Sequence, residues 1–307
     1  MASVKVKIAL VQSKAAHRKD ANIRNALDKI SQSAKQGAKI ICLQELFVSR
    51  YFPQTEDIGN FKCAESISGD TIKAVSMAAK KHKVTIICPI FEKRTAGIYH
   101  NSAVIINSRG EIISKYRKMH IPDDPRFYEK YYFTLGDLGF QAVDTEHGKI
   151  SVLICWDQWF PESARICALK GAQIIFYPTA IAWHKEESDE INKAQLESWL
   201  TIQQSHAIAN GVFIASVNRV GKEDDLIFWG NSFVCEPTGN IIAQASQDKE
   251  EILYAECDLD IIEWQRKAWP FLRDRRIDAY DGLLSRYLDN ENKVVKKNDS
   301  RKRKNSK

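Results

Sequence analysis

No apolar run in the 307-residue chain approaches the roughly 20 residues that span a bilayer, so a membrane protein is not expected. The opening stretch MASVKVKIALVQS lacks the pattern of a signal peptide: Val4, Val6, Ile8 and Leu10 alternate with Lys5 and Lys7 as in a first β-strand. Export is therefore not expected, and a cytoplasmic location is. Closely spaced cysteine pairs are missing too. The seven cysteines (Cys42, Cys63, Cys88, Cys155, Cys167, Cys235 and Cys257) are odd in number and none has the spacing of a zinc knuckle or a redox pair, which argues against a disulfide framework or a zinc site. Neither a metal nor an organic cofactor is expected. No Pro-, Gly- or Ser-rich linker interrupts the chain, so one domain is expected over residues 1–284.

The body of the chain also lacks a charge of one sign. The net charge of +6 resides in residues 285–307, which hold nine Lys or Arg against three Asp or Glu and leave 36 of each sign elsewhere. This basic tail reads as a flexible, solvated end, and a nucleic-acid partner is the weaker reading of it.

What is present is an alternation of strand and helix patterns. VKVKIALVQ leads into a helix that Asp20 is expected to cap, then come the strand AKIICLQE, the helix GDTIKAVSMAAKKHK and the strand VTIICPIF. Two further strands flank the turn SRG as a hairpin. From His120 to Gly139 no clean period survives, and the abundance of Pro, Asp and aromatics reads as a long functional loop. The pattern resumes with the strand KISVLIC, the helix PESARICALK, the strand AQIIFYPT, the loop AIAWHKEESDE and an amphipathic helix over 194–210; further strands follow. Mixed βα units and hairpins predict an α/β fold with a mixed sheet packed in layers.

In such folds reactive side chains gather where strands end. Glu45, Lys118 and Cys155 each end a strand. Six cysteines sit in apolar patterns as ordinary core residues, whereas Cys155 is delivered to a turn just before a helix opening on Pro161. A thiol attacks a carbonyl carbon only as a thiolate and needs a proton acceptor and a positive neighbour. Glu45 suits the first role and Lys118 the second. An oxyanion formed in the attack would be held by Lys118 and a backbone N–H just after Cys155.

The segments LQELF around Glu45, YRKMHIPD around Lys118 and ICWDQWFPE around Cys155 resemble, in order and spacing, the three motif blocks of the nitrilase superfamily of carbon-nitrogen hydrolases. The resemblance runs from about Val4 to Asp281. It implies an αββα sandwich, four-layered when two copies stack, a Glu-Lys-Cys triad and a homo-oligomer built from dimers. It also implies a second glutamate after the lysine, and Glu129 occupies that position; taken alone, Glu129 would read as a solvated loop charge. Within the superfamily, YRKMHIPDDPRFYEKYYFTLGDLGF and CWDQWFPESAR look most like amidases that cleave the ureido group of N-carbamoylputrescine in polyamine synthesis.

A cationic ureido substrate calls for acids and aromatics near the thiol, and Tyr51, Asp123, Asp124, Trp156 and Trp183 are the candidates. The four acids of HKEESDE either face water or assist. The alternative is a β-ureidopropionase or another ω-amidase, whose anionic substrate would need a cation such as Arg126 or Lys185. A more remote alternative is a nucleic-acid-binding protein on a hydrolase fold.

Overall fold

Strand β1 (Lys5–Gln12) shows how the layers form: Val6, Ile8 and Leu10 point to one face and Ala9 and Val11 to the other, and all five are buried. A computed structural model describes residues 5–288, so residues 289–307 of the expected basic tail lie outside the described region. By compactness the chain divides into two units, Met1–Ala268 and Trp269–Lys307.

The first unit runs β1, α1 (Lys19–Lys35), β2 (Ile40–Leu43), α2 (Asp70–His82), β3 (Thr85–Thr95), β4 (Ile98–Ile106), β5 (Ile112–Arg117), α3 (Glu129–Tyr132), β6 (Val143–Thr145) and β7 (Gly148–Val152). It continues through α4 (Pro161–Leu169), β8 (Ile174–Pro178), β9 (Ala182–His184), α5 (Asp189–Asn210), β10 (Phe213–Val217), β11 (Val220–Glu223), β12 (Leu226–Trp229), β13 (Phe233–Cys235), β14 (Ile241–Gln244), β15 (Glu251–Asp258) and α6 (Asp260–Ala268). One six-stranded sheet has the order β15-β1-β2-β3-β4-β5, a second β14-β13-β10-β8-β7-β6, and a small third sheet β11-β12-β9.

The two large sheets face each other. Val6, Ile8, Leu10, Ile40 and Cys42 of the first share a core with Val152, Ile174, Phe176 and Ile214 of the second. The opposite face of the first sheet, with Ala9, Val11, Ile41 and Ile86, packs under Ala26 and Ile30 of α1 and Ile72 and Val75 of α2. Each fully buried Val or Ile contributes about 1.5–3 kcal/mol relative to exposure. Strands buried on both faces, such as IICL in β2, must be apolar throughout. With α4 and α5 beside the second sheet, this is the αββα sandwich that the resemblance implies.

Three local readings differ from the structure. Arg18 is the N-cap of α1, and Asp20 is the second residue of its first turn, paired with Arg18 at 2.7 Å. Helix α5 begins at Asp189, five residues before the expected start, because the Ser188 hydroxyl accepts from the Ile191 N–H and two acids fill its positive first turn. The stretch expected to be a loop around Trp183 contains β9, which pairs with β12.

The described part of the second unit, residues 269–288, holds two short 3-10 turns, Ile277–Ala279 and Asp281–Leu284, and an exposed Arg276–Asp278 pair at 2.6 Å.

Candidate active site

The ends of β2, β5 and β7 deliver three side chains to one place. Beyond β7, Leu153 and Ile154 lead to Cys155, whose φ of 46° is left-handed, a conformation that costs a non-glycine residue about 1–3 kcal/mol and turns its sulfur out of the strand. Cys155 opens a 3-10 turn that ends at Trp159, and α4 follows with Pro161 at its first position. The first amides of such a turn have no acceptor inside it, so the Trp156 N–H is available beside the sulfur.

Asp157 holds this turn in place. Fully buried, it accepts from the Ile154 N–H at 2.9 Å and the Tyr116 hydroxyl at 2.7 Å through Oδ2, and from the His120 N–H at 3.0 Å through Oδ1, which also lies 2.7 Å from His120 Nδ1. Tyr116 lies in β5, two residues before Lys118, so a single carboxylate fixes the cysteine turn to the lysine strand.

Lys118 is locked through its backbone as well. Its N–H donates to Asn101 O at 2.8 Å and its carbonyl accepts from the Gly136 N–H at 2.9 Å. A Cβ on Gly136 would stand 2.2 Å from the Arg117 carbonyl, so this close approach requires glycine. The Lys118 ammonium donates to Glu45 Oε1 at 2.9 Å and Glu129 Oε2 at 2.6 Å, with all three side chains sealed from solvent. Asn101 Nδ2 also donates to Glu45 Oε1, at 2.7 Å, and the Tyr51 hydroxyl donates to Glu129 Oε1 at 2.6 Å. Three of the four carboxylate oxygens therefore carry donors. Glu45 Oε2, buried and without a partner, is the one that can take up a proton.

The electrostatics follow from that packing. Burial works against the Lys118 charge, but the carboxylates of Glu129 and Glu45 outweigh it and hold the ammonium above its ordinary range. Burial, aided by the Glu45 charge, outweighs the pull of Lys118 and the Tyr51 hydroxyl and holds Glu129 up at about 7. Glu129 therefore takes up a proton near neutrality. Burial, then the Glu45 charge, raises the Cys155 thiol well above its usual range, against the pull of Lys118 and of a hydrogen bond with the Ala180 backbone. At rest the sulfur holds its proton and needs a base to surrender it.

Above this cluster lies a cavity of about 810 Å³ that reaches Cys155 and Glu129. Trp156, Trp159, Trp229 and Phe127 give it apolar walls, and Asp124, Glu187 and His184 add ionisable groups. Among the described residues, no Lys or Arg lines it. Glu187 is oriented by the His184 N–H and by Gln195 Nε2, each at 3.0 Å.

Residues 7–267 match the family model for carbon-nitrogen hydrolases. The chain belongs to the carbon-nitrogen hydrolase family. It is 41% identical to an N-carbamoylputrescine amidase of Oryza sativa subsp. japonica over 94% of this chain and 97% of that one. It is 39% identical to a citrullinase of Francisella tularensis subsp. tularensis, over 92% and 99%. The crystal structure of a carbon-nitrogen hydrolase from Helicobacter pylori G27 superposes with a TM-score of 0.90 at 45% identity, covering 92% of this chain and all of that one.

In this carbon-nitrogen hydrolase the four residues expected to do chemistry, Glu45, Lys118, Cys155 and Glu129, meet in one cluster, while those expected to bind substrate scatter. Trp156 and Asp124 line the cavity. Tyr51 is buried behind it, its hydroxyl on Glu129 and its ring 5.5 Å from that of Phe127. Asp123 is exposed and lies 3.8 Å from Lys130, off the cavity wall. Trp183 donates to Asn192 O at 3.0 Å and backs Trp229, the indole that lines the wall in its place. Arg126 and Lys185 both pair with Asp225, the former at 2.6 Å, and neither lines the cavity.

Sequence reasoning overlooked Asn101, Asp157 and Trp229, and left the acid run undecided. Of its four acids, Glu187 is the one on the cavity wall. Among the described residues no helix is long and apolar enough to cross a membrane, and no group of three or more His, Cys, Asp or Glu is placed to hold a metal ion.

Proposed function

We propose that the protein hydrolyses the ureido C–N bond of N-carbamoylputrescine, giving putrescine, carbon dioxide and ammonia through an S-carbamoyl (thiocarbamate) intermediate on Cys155. The carrying observation is a sealed Glu45-Lys118-Glu129 cluster beside a thiol, at the base of a cavity with acidic groups on its wall and no Lys or Arg. In this reading Glu45 Oε2 takes the thiol proton as sulfur bonds to the carbamoyl carbon. Lys118 and the Trp156 N–H stabilise the oxyanion, and Glu129, with Tyr51 behind it, keeps Lys118 aimed.

Collapse breaks the C–N bond, and the leaving nitrogen takes the proton from Glu45. A water molecule then gives its proton to Glu45 while its oxygen attacks the thiocarbamate carbon; the C–S bond breaks and the sulfur recovers the proton. The carbamic acid released loses carbon dioxide, so either order of nitrogen departure yields the same products.

Asp124 and Glu187 suit the distal ammonium of the substrate, and the indoles suit its four-carbon chain. Citrulline, suggested by the Francisella relative, presents the same ureido group but adds a carboxylate next to its ammonium. N-carbamoyl-β-alanine, the substrate of the ureidopropionase alternative, carries a carboxylate alone. Each would meet acids without a cation to receive it, since Arg126 and Lys185 are engaged by Asp225.

The deciding experiment is ammonia release from these three compounds side by side, with Cys155→Ser as the blank. N-carbamoylputrescine is expected to lead in kcat/KM by about fivefold or more, roughly 1 kcal/mol of transition-state binding. A lead for either carboxylate-bearing compound overturns the substrate assignment, and turnover by Cys155→Ser at the unmodified rate overturns the mechanism.

A cytoplasmic enzyme of polyamine synthesis, assembled from dimers, is part of the same proposal. Exposed Ile166 and Leu169 on α4 and Trp264 on α6 are apolar side chains that an assembly would cover. Sedimentation at the 35.0 kDa of one chain would remove the oligomer from it.

A further inference from the structure

Among the described residues, Arg117 and Arg219 are buried arginines outside this chemistry. Arg219, fully buried in the turn between β10 and β11, belongs to the second half of the sandwich, yet three of its five side-chain hydrogen bonds reach into the first. Its Nη2 donates to three backbone carbonyls of the segment that leaves β2: Glu45 at 3.2 Å, Leu46 at 2.8 Å and Ser49 at 3.0 Å. Its Nη1 lies 2.8 and 3.1 Å from the two carboxylate oxygens of Glu223, and its guanidinium stands 5.3 Å from the centre of the Phe228 ring. Glu223 Oε2 in turn accepts the Tyr51 N–H at 2.6 Å.

The ion pair thus grips both ends of residues 45–51. At one end stands Glu45, followed by Leu46 in the left-handed region at φ 49°. At the other stands Tyr51, whose hydroxyl holds Glu129. Three carbonyl dipoles converging on one point repel each other unless a cation sits among them. A planar guanidinium can serve them and a carboxylate together in a way that a lysine ammonium, a single point of charge on a flexible stem, cannot.

We propose that Arg219 and Glu223 are a positioning pair that sets where Glu45 Oε2 and, through Tyr51, the Glu129 carboxylate stand relative to the Cys155 sulfur. Neither touches the cavity wall that receives the substrate. The pair therefore acts on the proton transfers and leaves binding alone. This rests on Glu45 being the base, as proposed above, and the test separates the two ideas.

Arg219→Lys keeps the charge and loses the fork; Glu223→Gln keeps an acceptor for the Tyr51 N–H and loses the charge. With N-carbamoylputrescine each is expected to lower kcat about tenfold or more per folded site while KM stays within about twofold. Alkylation of Cys155 by iodoacetamide at neutral pH, followed by peptide mapping, is expected to slow in parallel, because the thiol loses a well-placed acceptor. Glu45→Gln, measured alongside, should lose both.

Should Arg219→Lys fail to fold, Glu223→Gln carries the test. Variants that melt earlier but keep unmodified kcat and alkylation rates per folded site, beside an inactive Glu45→Gln, overturn the positioning role and leave the base assignment standing. A fully active Glu45→Gln overturns both.

Discussion

The floor of the cavity and its walls are built from different materials. Beneath the sulfur, Glu45, Lys118 and Glu129 are sealed from water, and with Asn101 and Tyr51 every carboxylate oxygen but one has a donor. Around the opening, Glu187 is half-buried, Asp124 is exposed, and neither has an ion-pair partner on the wall. Each group on the floor depends on the charge of the next, so a change to one is felt by all. The wall groups act singly and can be exchanged without disturbing the fold. In the proposed reading the floor sets the reaction type and the walls choose the substrate.

The comparison is tested hardest by removing the ammonium. Lys118→Met leaves two buried carboxylates without their cation, and turnover is expected to fall by roughly 10²–10³ or more through loss of the oxyanion donor. Stability should fall too, with a definite dependence on pH. Glu129 stands near 7 in the folded protein, above its ordinary 4.5, so its protonation favours folding. That contribution is complete below about pH 4.5 and is lost as pH rises through 7.

Without Lys118 the window extends upward, since the group that pulls Glu129 down is gone. Urea unfolding is expected to find the variant close to unmodified stability at acid pH and about 3–5 kcal/mol weaker once Glu129 must ionise. Equal losses at pH 5 and pH 8 would mean that the floor is not held together by charge.

How much of this was legible in the sequence follows the same division. Glu45, Lys118 and Cys155 stand at strand ends, where the fold alone makes chemistry expected, and their residue types supply an acceptor, a cation and a nucleophile. The walls were harder. Trp183 was chosen and Trp229 lines the cavity, because β9 and β12 have three and four residues, too few for a period that would say which indole faces inward. Asp123 and Asp124 are neighbours, and only backbone direction decides which reaches the cavity; a tight turn closed by the Phe127 N–H on the Asp124 carbonyl sets it.

Glu187 could not be told from the other acids of its run, since a charge pattern carries no information about orientation. Arg219 gives no sign in the sequence: the three carbonyls that it holds lie 170 or more residues away.

The walls yield a smaller effect that sharpens the comparison. Glu187→Gln keeps the shape and an acceptor for the His184 N–H, with the Gln195 amide free to turn over and accept from the new NH2, but removes a negative charge from the wall. KM for N-carbamoylputrescine is expected to rise about tenfold, the value of one charge-assisted contact near the surface, with kcat within about twofold. Butylurea, which presents the same ureido group and chain without the ammonium, supplies the control: its KM should not change beyond about twofold. A matching rise for both compounds would mean that Glu187 shapes the wall without reading charge. A fall in kcat with KM unchanged would mean that the wall reaches into the chemistry, and that floor and walls are less separable than their construction suggests.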